Sequence, residues 1–253
     1  MGQFWGDSAD TARYNQTLKF LRIPLNCLRK MKKTLSPIFT YLFAALVAVA
    51  VPLAAQAQEI KGDAKAGESK IASCIGCHGI IGYQATFPEV YKVPKISGQG
   101  SKYIISALNA YKKGDRKHPS MRAIAEGLSD QDMADVAAYY EAHGAGGAAP
   151  GKAAEATGKT ADLIKKGACI SCHGDSFSKP IDPTYPKIAG QHADYLFVAL
   201  KAYKTEGNAK VGRANGVMGG IAKQFTNNEM KEMAGYLSKL PGELQTIKQA
   251  SFR

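Results

Sequence analysis

Two copies of one five-residue pattern, Cys74-Ile75-Gly76-Cys77-His78 and Cys169-Ile170-Ser171-Cys172-His173, constrain this 253-residue chain more than any other feature. Two thiols at this spacing reach the two vinyl groups of a haem, and the histidine directly after them brings an imidazole under the iron. The pattern therefore implies two covalently attached haem c groups, one per motif. A bare C-x-x-C has rivals. A thioredoxin-type disulfide calls for a surrounding βαβ pattern and has no use for the following histidine. A zinc site would have to join the two motifs across 95 residues, although each lies in its own repeat.

The repeat extends well beyond the cysteines. Pro94-Lys95-Ile96-Ser97-Gly98-Gln99 is answered by Pro186-Lys187-Ile188-Ala189-Gly190-Gln191, and Tyr103, Leu108, Tyr111 and Lys112 by Tyr195, Leu200, Tyr203 and Lys204. Met121, Ile124 and Ala125 are matched by Met218, Ile221 and Ala222. The register drifts from 95 at the haem motifs to 92 at the proline motifs and 97 at the methionines, so only connecting segments have changed length. Between the copies, Gly144 to Thr160 is rich in Gly and Ala and has no bulky apolar residue, a linker composition. The chain accordingly divides into a domain at 58–143, a linker at 144–160 and a domain at 161–253.

Helices are expected at 64–73 and 161–168, before the cysteine pairs, at 101–113 and 193–204, and at 130–141 and 227–239. Ser129 with Asp132, and Thr226 with Glu229, supply a hydroxyl cap and an acidic residue at the start of the last helix in each copy. No strand pattern stands out, so the fold class is all-α. Each copy has under a hundred residues and few large apolar side chains, and a core of side chains alone is marginal at that size. A buried haem supplies the missing apolar bulk.

Ahead of the repeats, residues 31–57 begin with Met-Lys-Lys, continue into an apolar stretch from about 38 to 51 and end in Ala55-Gln56-Ala57. These are the parts of a cleaved signal peptide, with the mature start near Gln58; an uncleaved anchor is the rival. Residues 1–30 precede the natural start of such a signal and read as a mis-assigned extension. Cys27, the fifth cysteine, lies before the apolar stretch and does not suit lipid attachment. The formal charge of +12 is not a nucleic-acid signature. Residues 1–57 hold seven Lys/Arg against two Asp/Glu, leaving 26 against 19 spread over both copies, which describes a solvated, mildly basic surface.

Each copy also offers a sixth ligand for iron. Met121 follows His78 by 43 residues and Met218 follows His173 by 45, and both stand in segments that read as loops, His118-Pro119-Ser120-Met121 and Asn215-Gly216-Val217-Met218. Met133, Met230 and Met233 fall at helical spacings in the last helices and read as core. His118 competes for the iron in the first copy, but Asn215 stands at its place in the second. His143 reads as a helix C-terminal residue and His192 as a surface residue near a helix start. A thioether opposite imidazole favours ferrous iron and closes the sixth position to substrate, which argues for electron transfer over chemistry at the iron. Gly144-Ala145-Gly146-Gly147 has no strand before it and is no phosphate loop.

With these motifs in hand, the chain resembles the di-haem cytochrome c4 family, with ties to the small c553-type cytochromes, over essentially all of residues 60–240. The resemblance implies two tandem class I cytochrome c domains in the bacterial periplasm, soluble or loosely membrane-associated. They would carry single electrons from the quinol-oxidising complex towards terminal oxidases. By position, Cys74, Cys77, His78 and Met121 would hold the first haem, and Cys169, Cys172, His173 and Met218 the second, with His78, Met121, His173 and Met218 as the iron ligands. The carbonyls of Pro94 and Pro186 would receive the ligand histidines' ring N–H groups; Gln99, Gln191, Tyr103 and Tyr195 would either line the haem edges or propionates or serve in helix-start packing. A dedicated electron-accepting subunit of a periplasmic dehydrogenase, such as a sulfide-oxidising flavocytochrome, is the alternative.

There are departures from the family pattern. The first copy has three extra residues between its histidine and proline, with an apolar Ile80-Ile81-Gly82-Tyr83. It also has Gly67 where the second has Asp162, and Gly235 reads as a place for close helix crossing in the second.

Overall fold

A computed structural model describes residues 60–144 and 154–247, all within one compact unit. The expected signal peptide, the extension before it and most of the linker lie outside the described residues. The first half runs α1 (Ala64–Glu68), α2 (Ala72–His78), β1 (Gln84–Ala85), β2 (Tyr91–Lys92), α3 (Ser101–Lys113), β3 (Arg116–Lys117), α4 (Pro119–Glu126) and α5 (Asp130–Ala142). The second repeats the order as α6 (Gly158–Lys166), α7 (Cys169–His173), α8 (Ala193–Lys204), β4 (Gly212–Arg213), α9 (Gly216–Lys223) and α10 (Asn227–Lys239).

The helix ends follow from local chemistry. Ser129 and Thr226 each accept the N–H of the third helical residue, Asp132 and Glu229, whose carboxylates bond back to the cap N–H. Two of the orphan donors at each helix start are thereby satisfied, as the sequence spacing predicts. Two expectations need correction. The helices near the cysteines do not stop short of them: α2 runs through Cys74 to His78 and α7 through Cys169 to His173. Met121 and Met218 do not lie in loops but in the first turns of α4 and α9. Proline at the first helical position and a capping side chain just before it start a helix as readily as they interrupt one.

Each half packs its last helix against the long middle one. In the first, Ile104 and Leu108 of α3, one turn apart, meet Met133, Val136, Ala137 and Tyr140 of α5 in one cluster. In the second, Leu196 of α8 meets Met230, Met233 and Leu237 of α10, with Phe177 and Phe225 closing the ends. Met133 and Met230 are wholly shielded from solvent, each contributing about 1.5–3 kcal/mol by burial, which bears out their reading as core. Gly67 sets the distance between α1 and α5: a Cβ there would stand 2.2 Å from the Asp135 carbonyl oxygen. Gly235 does not do the same in the second half, because nothing lies within 4 Å of a Cβ placed on it.

The strands are short, two residues each, too few to leave an alternating pattern in sequence. β1 and β2 form a hairpin in the loop where the first copy has its extra residues. β3 and β4 pair antiparallel across the two halves, with Arg116 opposite Arg213 and Lys117 opposite Gly212.

Candidate haem sites and the interface between them

One turn of helix explains the C-x-x-C-H spacing. In α2, Cys74 and Cys77 are three residues apart and His78 four from the first thiol, so all three side chains leave one side of the helix; α7 repeats this with Cys169, Cys172 and His173. All four thiols are free of disulfides. Burial pushes the Cys74 and Cys169 thiols up from their ordinary range. Among the described residues no three His, Cys, Asp or Glu side chains gather as a group that could hold a metal.

Each motif histidine is oriented by a carbonyl. His78 Nδ1 lies 2.8 Å from the Pro94 oxygen and His173 Nδ1 lies 3.0 Å from the Pro186 oxygen. A carbonyl can only accept, so Nδ1 carries the proton in both rings and Nε2 is left with its lone pair for iron. Burial lowers the pKa of both rings, and for His78 the positive charge of Arg116 adds to it, against the opposing pull of the carbonyl hydrogen bonds. The net lowering favours the neutral imidazole, the form an iron ligand needs.

The methionine helices are held by matching caps. His118 Nδ1 accepts the Met121 N–H at 3.4 Å, and Asn215 Oδ1 accepts the Met218 N–H at 2.9 Å. The two residues that differ in type at this position therefore do one job, and His118 caps the helix that carries Met121. Met121 packs on the same cluster as Cys74 and Ile75. His143 closes the C-terminus of α5 with Nδ1 2.8 Å from the Tyr139 carbonyl, and His192 precedes α8.

The glutamines and tyrosines do something the sequence did not foretell. Gln191 reaches into the first half, where its Oε1 accepts the Lys95 N–H at 3.0 Å and its Nε2 donates to the Lys95 carbonyl at 2.9 Å. Gln99 returns the same pair of bonds to Lys187, both at 3.0 Å. The lysine heads add Lys95 Nζ to the Gly190 carbonyl at 2.7 Å and Lys187 Nζ to the Gly98 carbonyl at 2.8 Å. Gly98 and Gly190 take positive φ angles of 85° and 70°, and their N–H groups bond Tyr140 and Leu237 of the last helices. The two P-K-I-x-G-Q segments are thus a reciprocal clasp between the halves.

Beside the clasp lies a cluster absent from the sequence reading. Arg116 donates to the Tyr103 hydroxyl at 3.1 Å and to the Tyr195 hydroxyl at 2.7 Å, and Arg213 donates to the same Tyr195 oxygen at 3.1 Å. The guanidinium carbon of Arg116 stands 4.7 Å above the Tyr111 ring centre, and that of Arg213 stands 5.3 Å above Tyr203. Burial alone would raise the Tyr195 phenol, but the two guanidiniums outweigh it and pull it to about 8. Tyr103, where burial dominates, goes up to about 12. The signal was available, since Arg116 and Arg213 stand at the same 97-residue register as the two methionines.

Two like charges opposite each other on a strand pair are costly. Here no carboxylate among the described residues pairs with either one, and Arg116 Nε is buried without an acceptor. Anionic groups delivered from within the fold would balance them, and haem propionates have that chemistry. Large exposed apolar side chains also flank the motifs: Ile80, Ile81 and Tyr83 after His78, Ile170 within the second motif, Ile181 and Tyr185 after it, and Val217 beside Met218. A flat apolar ligand is the kind of group that would cover them. The residues present therefore fit haem c.

Comparison with known proteins agrees. The Cytochrome c family model matches residues 64–142 and again 156–241. Cytochrome c4 of Pseudomonas aeruginosa is 33% identical over 186 residues, 71% of this chain and 89% of that protein. A thiosulfate dehydrogenase electron acceptor of Stutzerimonas stutzeri is 32% identical over 211 residues, 80% of this chain and 94% of that protein. Among solved structures, reduced recombinant cytochrome c4 from Pseudomonas stutzeri overlays with a TM-score of 0.52 at 30% identity, covering 71% of this chain and 99% of that one. Fold, paired motifs and family match define a tandem of two c-type cytochrome domains. The chain belongs to the di-haem cytochrome c4 family and carries two covalently bound haem c groups, one at Cys74/Cys77 and one at Cys169/Cys172. It is an electron-transfer cytochrome.

Proposed function

We propose that this protein is a periplasmic shuttle that takes up and gives away one electron per haem between respiratory partners, from the quinol-oxidising side towards a terminal oxidase. Cys74, Cys77, His78 and Met121 hold the first haem, and Cys169, Cys172, His173 and Met218 the second. Haem iron supplies the reversible ferric–ferrous couple; the chain supplies covalent attachment, a fixed ligand geometry and a closed sixth position. The observation that carries this reading is the duplication of the whole ligand apparatus. Each histidine is held by its own proline carbonyl and each methionine helix by its own cap, a matched arrangement that supports a methionine-closed iron in both halves over a site left open in one. Periplasmic placement rests on the signal-like residues 31–57. Among the described residues no helix is long and apolar enough to cross a membrane.

A second reading, a dedicated acceptor for one periplasmic dehydrogenase, is favoured by the likeness to the thiosulfate dehydrogenase electron acceptor. Purification from the native periplasm without detergent separates the two. A shuttle comes through as the free di-haem protein, whereas a stoichiometric dehydrogenase travelling with it contradicts the shuttle.

A further inference from the structure

The peptide group joining Pro94 to Lys95 has two tasks at once. Its carbonyl receives the His78 Nδ1–H at 2.8 Å, and its N–H is given at 3.0 Å to Gln191 Oε1 of the other half. The peptide joining Pro186 to Lys187 is used in the same way, its carbonyl 3.0 Å from His173 Nδ1 and its N–H 3.0 Å from Gln99 Oε1. Both glutamines are only 4% exposed. Each carboxamide oxygen is anchored by a second donor, the His192 N–H at 3.0 Å for Gln191 and the Gly100 N–H at 3.1 Å for Gln99, so the acceptor is fixed where the peptide needs it.

We propose that Gln99 and Gln191 are crossed positioning residues: each sets the electron donation of the proximal histidine in the opposite domain, through a single peptide group. The inference rests on the two-haem reading above. An amide whose N–H is engaged has a more negative carbonyl oxygen, because hydrogen bonds in a chain polarise one another. A more negative Pro94 oxygen draws the His78 Nδ1 proton further and gives the ring more anionic character, which favours ferric iron. The second domain thereby holds the first haem's potential down through Gln191, and the first domain holds the second haem's down through Gln99. A free shuttle gains a specific property from this: loosening the clasp, for example on docking, moves the potential of each haem without touching its own domain.

The test uses the full-length holoprotein with Gln191→Leu or Gln99→Leu. Potentials of the two haems are read separately from their ferric methyl resonances, assigned with a variant altered at one axial methionine. The absorption spectrum of the wild-type protein is read first: fewer than two covalent haems there speaks against the site reading and not against this proposal. With both haems present, Gln191→Leu raises the potential of the first haem and leaves the second, and moves the His78 Nδ1–H resonance of the ferrous protein upfield. Gln99→Leu gives the mirror pattern at the second haem and His173. Where a leucine variant does not load, the glutamate variant keeps an acceptor at the same atom and shifts the opposite-domain haem downward more than its own. A shift confined to the variant's own domain, an equal shift of both haems, or no shift overturns the proposal.

Discussion

Asn215 Oδ1 accepts the amide N–H of Met218 at 2.9 Å, so the residue proposed to close the second iron sits in a helical turn started by its own neighbour. Replacing Asn215 by Ala leaves that N–H to water and costs about 0.5–2 kcal/mol of local helix stability. Imidazole added to the ferric protein then displaces the methionine of the second haem at lower concentration than in wild type, while Asn215→Asp behaves as wild type. The first haem, whose helix is capped by His118, is unaffected by either change.

The two glycines that stand near the last helices differ in what surrounds them, and their substitutions have opposite signs. Gly67→Ala puts a methyl group 2.2 Å from the Asp135 carbonyl oxygen and costs about 1–3 kcal/mol by forcing α1 away from α5. Gly235→Ala meets nothing within 4 Å inside α10 and adds about 0.5–1 kcal/mol by removing a flexible residue from a helix. Urea unfolding of the two holoproteins reads both.

Lys70 ties the loop before the first haem motif to α5, with its ammonium 2.7 Å from Asp132 and 2.7 Å from Asp135. The hydrogen bond from Lys70, helped by Ser129, holds the Asp132 carboxyl down to about 2, and Lys70 also lowers Asp135. A carboxylate depressed in the folded state adds stability that is complete above its unfolded pKa and is lost as the pH falls towards the folded value. Lys70→Met is therefore less stable than wild type at neutral pH, and the gap between their urea midpoints closes on going from about pH 5 to about pH 2.5. A gap constant over that range contradicts the assignment.

Arg116 and Arg213 place two positive charges at the junction of the halves without acid partners of their own among the described residues. A buried cation near haem favours the ferrous state, which carries one charge fewer. Arg116→Gln and Arg213→Gln each lower the midpoint potential measured by spectroelectrochemistry. An unchanged potential in both would separate these residues from the haems.

What the sequence discloses follows from the range of the interactions. Capping boxes at Ser129 and Thr226, and the helices 101–113, 193–204 and 227–239, rest on contacts within four residues, and the structure reproduces them. The proline carbonyls were legible through family resemblance. Met121 and Met218 were misjudged as loop residues because the types that break a helix interior, such as Pro119 and Asn215 just before them, are also those that begin a helix. The Gln191–Lys95 and Gln99–Lys187 bonds join positions 96 and 88 residues apart, and nothing in local pattern signals them. Gln99 and Gln191 read from sequence as haem-edge or helix-start residues, and neither reading signals that their carboxamides clasp the opposite half. Gly235, chosen by analogy with Gly67, has the right type at a position with no neighbour to admit.

The central claim is that two domains each close their haem iron with a methionine, and the near-infrared sulfur-to-iron band of the ferric protein reads that bond directly. Met121→Ala and Met218→Ala are each expected to remove about half of the band, one methionine of two per variant, and the double variant to remove all of it. A band that survives undiminished in both single variants would contradict the account.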